Sequence, residues 1–259
     1  MSTPDLFSLD GRTAVVTGGT SGIGRMIADG LIDAGVRVYV ASRKADACAR
    51  VAAELSERGT CIGIAADLST EAGCLALATE IAEREDRIHL LVNNAGATWG
   101  APLEEYPDAA FDKMFALNVK GVFHLTRTLL PQLRAAATEE DPARVVNIGS
   151  IDGIRVPITE NYAYSATKAA VHMLTRHLAA TLVKDHITVN AIAPGPFDSR
   201  MMAFVLDDPA GRQAVSASVP IGRVGQPSDV AGTVIFLASK AGSYLTGAVI
   251  PVDGGVSTR

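Results

Sequence analysis

TAVVTGGTSGIGRMIADGL, residues 13 to 31, is the stretch on which the fold turns. A β-branched apolar run, long enough for one buried strand, breaks directly into a glycine-rich turn. That turn opens a segment whose apolar residues fall at helical spacing. Gly18, Gly22 and Gly24 stand in a G-x-x-x-G-x-G pattern, so the generic G-x-G-x-x-G dinucleotide fingerprint is matched only in part. The physical logic is shared: glycines let backbone N–H groups approach a pyrophosphate, and the helix N-terminus presents the positive end of its dipole. A tight strand-to-helix turn with no ligand is the plainer alternative.

Outward from this unit the same alternation recurs. RTAVVT, VRVYVA, TCIGIA, IHLLVN, RVVNIG, ITVNAIA and GAVIPVD read as buried strands, and RMIADGLIDAG, ADACARVAAELSERG and AGCLALATEIAERE as helices between them. Strand alternating with helix predicts an α/β fold: a doubly wound Rossmann arrangement, with a parallel seven-stranded sheet covered by helices on both faces. Ligands then belong in the crevice outside the carboxyl ends of the strands. No linker-like run divides the chain. Residues 1–259 are therefore expected to form a single dinucleotide-binding and catalytic domain, with a substrate lid at about 196–220.

Composition narrows the partners. The 259 residues are 48% hydrophobic and 20% charged, with a formal net charge of -5. The pI near 5.5 argues against a nucleic-acid groove, which would show a basic stripe. No apolar run approaches the roughly 18 residues of a membrane span. The start MSTPDLFSLDGR lacks the basic-then-apolar pattern of a secretory signal, so a cytoplasmic protein is expected. Cys48, Cys61 and Cys74 have neither disulfide-framework nor zinc spacing and read as buried or inert thiols. No metal is expected.

The second strand ends in Ser42, Arg43 and Lys44. An NAD-preferring fold places an acidic residue there for the ribose 2′-OH. Serine instead tolerates a 2′-phosphate, and arginine can bind it with charge-assisted hydrogen bonds, so NADP(H) is expected over NAD(H). A solvated basic loop is the alternative. After the third strand, Asp67 could accept from the adenine amino group or cap the next helix. The fourth strand ends in NNAG, residues 93 to 96, where small residues suit close passage of backbone past a flat ligand.

NYAYSATK, residues 161 to 168, carries the chemistry. Helical residues four apart share a face and residues two apart do not, so Tyr164 neighbours Lys168 and Tyr162 points away. A phenol titrates near 10. An ammonium within reach favours its phenolate and lowers that value, and Tyr164 could then exchange a proton with a carbonyl or alcohol oxygen. Ser150, at the carboxyl end of the preceding strand, could donate to the same oxygen. Y-x-x-x-K alone is a common surface pair. The convergence of glycine turn, Ser150 and the Tyr–Lys helix on one sheet edge gives it weight.

On these motifs the chain is identified as a member of the short-chain dehydrogenase/reductase family, of the short single-domain type, over essentially its whole length. TGGTSGIG (17–24) resembles the family's glycine motif, NNAG its structural amide motif, and Tyr164 with Lys168 its catalytic pair. Ser150 matches the substrate-orienting serine. Asn118 in LNVKG matches the asparagine that shapes a helix and holds a proton-relay water. The resemblance implies nucleotide contacts from Gly18, Thr20, Ser21, Gly22, Ile23 and Gly24 in the first turn, and from Ser42, Arg43, Asp67 and Leu68 beyond the next strands. It implies others from Asn94, Ala95 and Gly96, and from Pro194, Gly195, Phe197 and Ser199 beside the nicotinamide. Tyr164 and Lys168 join them, Lys168 with a double role: it binds the nicotinamide ribose and depresses the Tyr164 pKa. Members commonly carry an aliphatic residue and a threonine after PG. Here PGPFDS places Phe197 and Ser199 at those positions, and Pro196 removes one donor.

The variable walls are expected from 97–107, 151–162 and 196–209, where Trp99, Ile158, Phe197, Met201, Met202 and Phe204 make an apolar surround or pack a lid. Such walls suit an aliphatic or ring ketone. NNAGATWG, IAPGPFDSRM and GAVIPVDGG are similar to bacterial β-ketoacyl reductases, including the type associated with rhamnolipid synthesis. That implies a 3-oxoacyl thioester, with other ketones or a secondary alcohol close behind. A nucleotide sensor without chemistry would show a broken Tyr–Lys pair, and an epimerase or dehydratase would usually need a larger substrate domain. The resemblance also implies a homotetramer.

Overall fold

In the computed structural model, residues 2–258 are described. Seven strands, β1 (Thr13–Thr17), β2 (Arg37–Ser42), β3 (Cys61–Ala65), β4 (Leu90–Asn93), β5 (Ala143–Ile148), β6 (Ile187–Pro194) and β7 (Val249–Val252), form one sheet in the order β3-β2-β1-β4-β5-β6-β7. Every pairing is parallel. This is the doubly wound Rossmann sheet expected from the alternation, and each predicted apolar run supplies one strand.

The continuous apolar reading of these strands has a simple cause. In β1, Ala14 and Val16 point to one core while Val15 points to the other, and in β2 Val38 and Val40 oppose Tyr39 and Ala41. Both faces are buried, so both sides of the period-two pattern are hydrophobic. Helices Gly22–Asp33 and Pro227–Ala238 pack against one face. Helix Glu71–Ala82, helix Val122–Thr128 and the end of helix Tyr162–Leu182 bury residues into the other core. Gly30 allows the first pair to cross closely: a Cβ there would stand 2.5 Å from the Cβ of Ala231.

Strand order reverses between β1 and β4, and this is the topological switch point at which a dinucleotide crevice opens. The crevice is stitched at its floor. Thr17 Oγ1 accepts from the backbone N–H groups of Asn94 and Ala95, both at 2.9 Å, and Asn94 Nδ2 donates to the Thr17 carbonyl at 2.8 Å. One layer deeper, Asn93 Nδ2 donates to Asn147 Oδ1 at 2.9 Å, and Asn147 Nδ2 to Thr175 Oγ1 at 2.9 Å. Buried amides paired in this way lock β4, β5 and the long helix into one register.

Candidate active site

The nucleotide end is made of backbone. Gly18 has φ +64° and Gly22 φ +53°, left-handed values that glycine alone adopts without strain. A Cβ on Gly18 would lie 2.7 Å from Asn94 Nδ2, and one on Gly24 would collide with that same amide and with the Gly18 carbonyl. Ser21 is the N-cap of helix Gly22–Asp33 yet makes no side-chain cap hydrogen bond, so the first helical amides stay available to an anion. Thr20, Ser21 and Ile23 are half-buried along this turn. Across the crevice, a Cβ on Gly22 would stand 3.1 Å from the Ser199 Cβ, which places the loop after β6 over the glycine turn. A dinucleotide pyrophosphate fits this cradle.

At the far end, β2 and β3 run side by side, with Ser42 opposite Ala65. Arg43 is exposed just beyond, and its charge is felt at Asp67. Ser42 is half-buried and its hydroxyl lies 3.2 Å from Cys48 Sγ. Asp67 does not cap the next helix. Its Oδ1 accepts from the Ser69 backbone at 3.1 Å and the Ser69 hydroxyl at 2.7 Å, holding the carboxyl below its usual range, while Thr70 is the N-cap. The Leu68 side chain is buried in the core. Cys48, Cys61 and Cys74 are all buried, and burial pushes the Cys61 and Cys74 thiols up to about 11.

Around the long helix Tyr162–Leu182 the chemical groups gather. Lys168 is 5% exposed, its Nζ donates to the Ile148 carbonyl at 2.8 Å, and it sits 5.5 Å from the Tyr164 ring centroid. Ser150 stands just beyond β5, after Gly149, and its Oγ accepts from the Asp152 N–H at 3.1 Å. Asn118 lies within a π-helical turn, Ala116–Gly121. Its Oδ1 accepts from the Ala97 N–H at 2.9 Å, and its Nδ2 donates to the Ala97 carbonyl at 3.0 Å and to Thr167 Oγ1 at 3.0 Å. Gly96 lies between these groups: a Cβ there would be 3.4 Å from Asn118 Oδ1 and 3.7 Å from Lys168 Nζ. Tyr162 faces elsewhere, packing edge-on against Tyr106 at 5.4 Å.

The titration of this cluster differs from the sequence expectation. Burial pushes the Tyr164 phenol up to about 12, hydrogen bonding with Ser150 opposes the rise, and the Asp152 charge adds to it. Burial also pulls Lys168 down to about 8. In the protein by itself desolvation therefore outweighs any pull of the ammonium on the phenol. Behind them His172 is buried and held neutral: burial and the Lys168 charge bring it down to about 4.

On the substrate side, Pro194 ends β6 and Gly195 follows it, pressed against Asp253. Of the two readings of Phe197, substrate wall or packing against the body, the structure matches packing. Its ring is buried in the core and fills the space that Gly225 leaves by having no side chain. Of the other expected wall residues, Trp99, Ile158, Met201 and Phe204 are exposed, Ile158 at 91% and Phe204 at 77%, while Met202 is half-buried; Val156, in the same segment as Ile158, is 88% exposed. The sequence assigns no individual role to Asn147, to Thr17 within the glycine motif or to Tyr106 within the 97–107 wall segment. A threonine ending an otherwise apolar strand was the available signal for Thr17, whereas nothing local marks Tyr106.

Comparison with known proteins places the chain in a family. The family described as Enoyl-(Acyl carrier protein) reductase matches residues 18–257. A rhamnolipids biosynthesis 3-oxoacyl-[acyl-carrier-protein] reductase of Pseudomonas aeruginosa is 53% identical over 249 residues, covering 96% of this chain and 97% of that one. The solved Pseudomonas aeruginosa RhlG/NADP active-site complex superposes with a TM-score of 0.95 at 52% identity, over 98% of this chain and 99% of that one. A gluconate 5-dehydrogenase from Burkholderia cenocepacia, in complex with NADP and tartrate, gives a TM-score of 0.91 at 31% identity over 100% of both chains.

Proposed function

This chain belongs to the short-chain dehydrogenase/reductase family, and we propose that it is an NADP(H)-dependent oxidoreductase that reduces a ketone to a secondary alcohol, with Tyr164 as general acid. The carrying observation is the gathering of Tyr164, Lys168 and Ser150 at the carboxyl edge of β5, beside the glycine cradle. When bound, NADPH supplies the hydride. The chain's own groups do the rest. Ser150 donates a hydrogen bond to the carbonyl oxygen and orients it. Tyr164, protonated at neutral pH, gives its proton to that oxygen as negative charge develops there. Lys168, beside the ring, steadies the phenolate left behind and reaches for the nicotinamide ribose. Asn118 holds the loop at Ala97 and sits by Lys168, where a relay water would return the proton.

Gly18, Thr20, Ser21, Gly22, Ile23 and Gly24 hold the pyrophosphate, and Ser42 with Arg43 receives the 2′-phosphate. Asp67, Leu68, Asn94, Ala95 and Gly96 flank the adenosine and ribose, and Pro194, Gly195, Phe197 and Ser199 meet the nicotinamide end. The substrate is apolar, and a 3-oxoacyl thioester is the first choice, supported by the 53% identical Pseudomonas aeruginosa reductase. Oxidation of another secondary alcohol is the second reading, supported by the NADP-bound gluconate 5-dehydrogenase at 31% identity. Among the described residues no helix is long and apolar enough to cross a membrane. The reading includes a cytoplasmic setting, a lid over 196–220 and a homotetramer. The tetramer is supported by exposed Phe111, Phe123 and Met173 on helices Asp108–Phe115, Val122–Thr128 and Tyr162–Leu182.

Steady-state kinetics with NADPH and NADH on a ketone panel, acyl thioesters included, tests the proposal. Turnover with NADPH is expected; silence on every thioester removes that substrate, and higher efficiency with NADH reverses the cofactor assignment. Light scattering tests the tetramer.

A further inference from the structure

Helix Tyr162–Leu182 has an unusual beginning. Its N-cap, Asn161, makes no side-chain cap hydrogen bond, because its amide is turned to Asp152, donating at 3.1 Å. The first helical N–H groups therefore need another acceptor. For Ala163 that acceptor comes from a distant loop: its N–H donates to Tyr106 Oη at 3.2 Å. The same hydroxyl donates to the Trp99 carbonyl at 3.2 Å. Rings reinforce the placement, for Tyr106 stands edge-on to Tyr162 and to Phe111, each at 5.4 Å.

The strap from Gly96 to Tyr106 is thus held at both ends. Asn118 grips it at Ala97, the Ala101 N–H donates to the Glu160 carbonyl at 3.2 Å, and Tyr106 fixes Trp99. Ala163 immediately precedes Tyr164. We propose that Tyr106 is a positioning residue of the active site, at once cap of the helix that carries Tyr164 and anchor of the strap that carries Trp99, so that one hydroxyl sets the spacing between substrate wall and proton donor. The proposal rests on the ketoreductase reading for its kinetic consequence, and on geometry alone for its structural one.

Tyr106→Phe keeps both ring contacts and removes both hydrogen bonds. The ketone must then order a looser strap as it binds. We expect KM for the ketone to rise about three- to tenfold, in line with the worth of one or two net hydrogen bonds, with kcat within about twofold and NADPH affinity unchanged. Hydrogen–deuterium exchange of the strap and of the Ala163 amide should quicken. Phe111→Leu, which removes a ring contact but spares the hydroxyl, should lower Tm without moving KM. An unchanged KM in Tyr106→Phe, or an equal rise in Phe111→Leu, would overturn the proposal. Should the wild-type protein reduce no ketone, the ketoreductase reading falls by itself. Exchange then decides alone, and unaltered protection in Tyr106→Phe refutes the clasp.

Discussion

The two ends of the sheet's carboxyl edge are made of different material. At the nucleotide end, shape is carried by backbone: two left-handed glycines, a threonine stitched to Asn94 and Ala95, and helix amides left uncapped. At the substrate end it is carried by side chains standing in solvent, among them Val156, Ile158 and Phe204. A backbone cradle cannot be altered by one atom without moving a strand. Exposed apolar side chains can be exchanged with little cost to folding. Tyr164 belongs to neither: it is half-buried beside Lys168 and Ser150.

If that division is right, substitutions should sort by place. The largest loss belongs to the boundary: Tyr164→Phe should slow turnover by about 10² to 10⁴ while NADPH titrates normally, and Tyr162→Phe should stay near wild type. Retained turnover in Tyr164→Phe would end the general-acid assignment. At the nucleotide end, Arg43→Glu should raise the NADPH Kd by about ten- to a hundredfold and spare NADH, since a charge-assisted contact of roughly 1.5–3 kcal/mol is replaced by repulsion. Equal losses for both cofactors would show that Arg43 is only a solvated loop residue.

The division also explains what could be read from sequence. A parallel sheet buried on both faces leaves unbroken apolar runs, so each strand was legible, and the glycine turn after β1 follows from steric rules that glycine alone satisfies. Tyr164 and Lys168 were legible because helical periodicity fixes their common face. The titration of that pair was not: it depends on how deeply the long helix is buried, which no local pattern encodes. Whether Phe197 forms a wall or packs inward stays open in the sequence, because an aromatic in such a loop looks the same whether it faces outward or fills the room left by Gly225. Tyr106 was invisible for a related reason, since its partners, Trp99 and Ala163, meet it only through tertiary packing.

A smaller effect is expected from pH. Lys168 titrates near 8 in the protein, so below that value it is an ammonium and above it a neutral amine. If it holds the nicotinamide ribose, NADPH affinity should fall several-fold as pH rises through about 8. Tyr164, near 12, stays protonated across this range, and His172, near 4, stays neutral, so neither masks the change. A Kd that is flat from pH 7 to 9.5, measured by fluorescence titration, would detach Lys168 from the cofactor.

The mildest substitution is the sharpest test of the contrast. Phe204 is 77% exposed on the short helix Ala203–Leu206, where it contributes little to folding. Phe204→Ser should leave Tm and NADPH affinity within error, because surface changes away from special features usually cost under about 0.5 kcal/mol. Yet a ketone with a long aliphatic chain that covers the ring would lose apolar contact at about 25 cal/mol per Å², enough to raise its KM a few-fold while a short ketone is unaffected. A chain-length-dependent KM with constant Tm is what side chains in solvent predict. If Tm fell and both ketones suffered alike, Phe204 would belong to the scaffold, and the line between backbone-built and side-chain-built ends would have to be redrawn at the 196–209 loop.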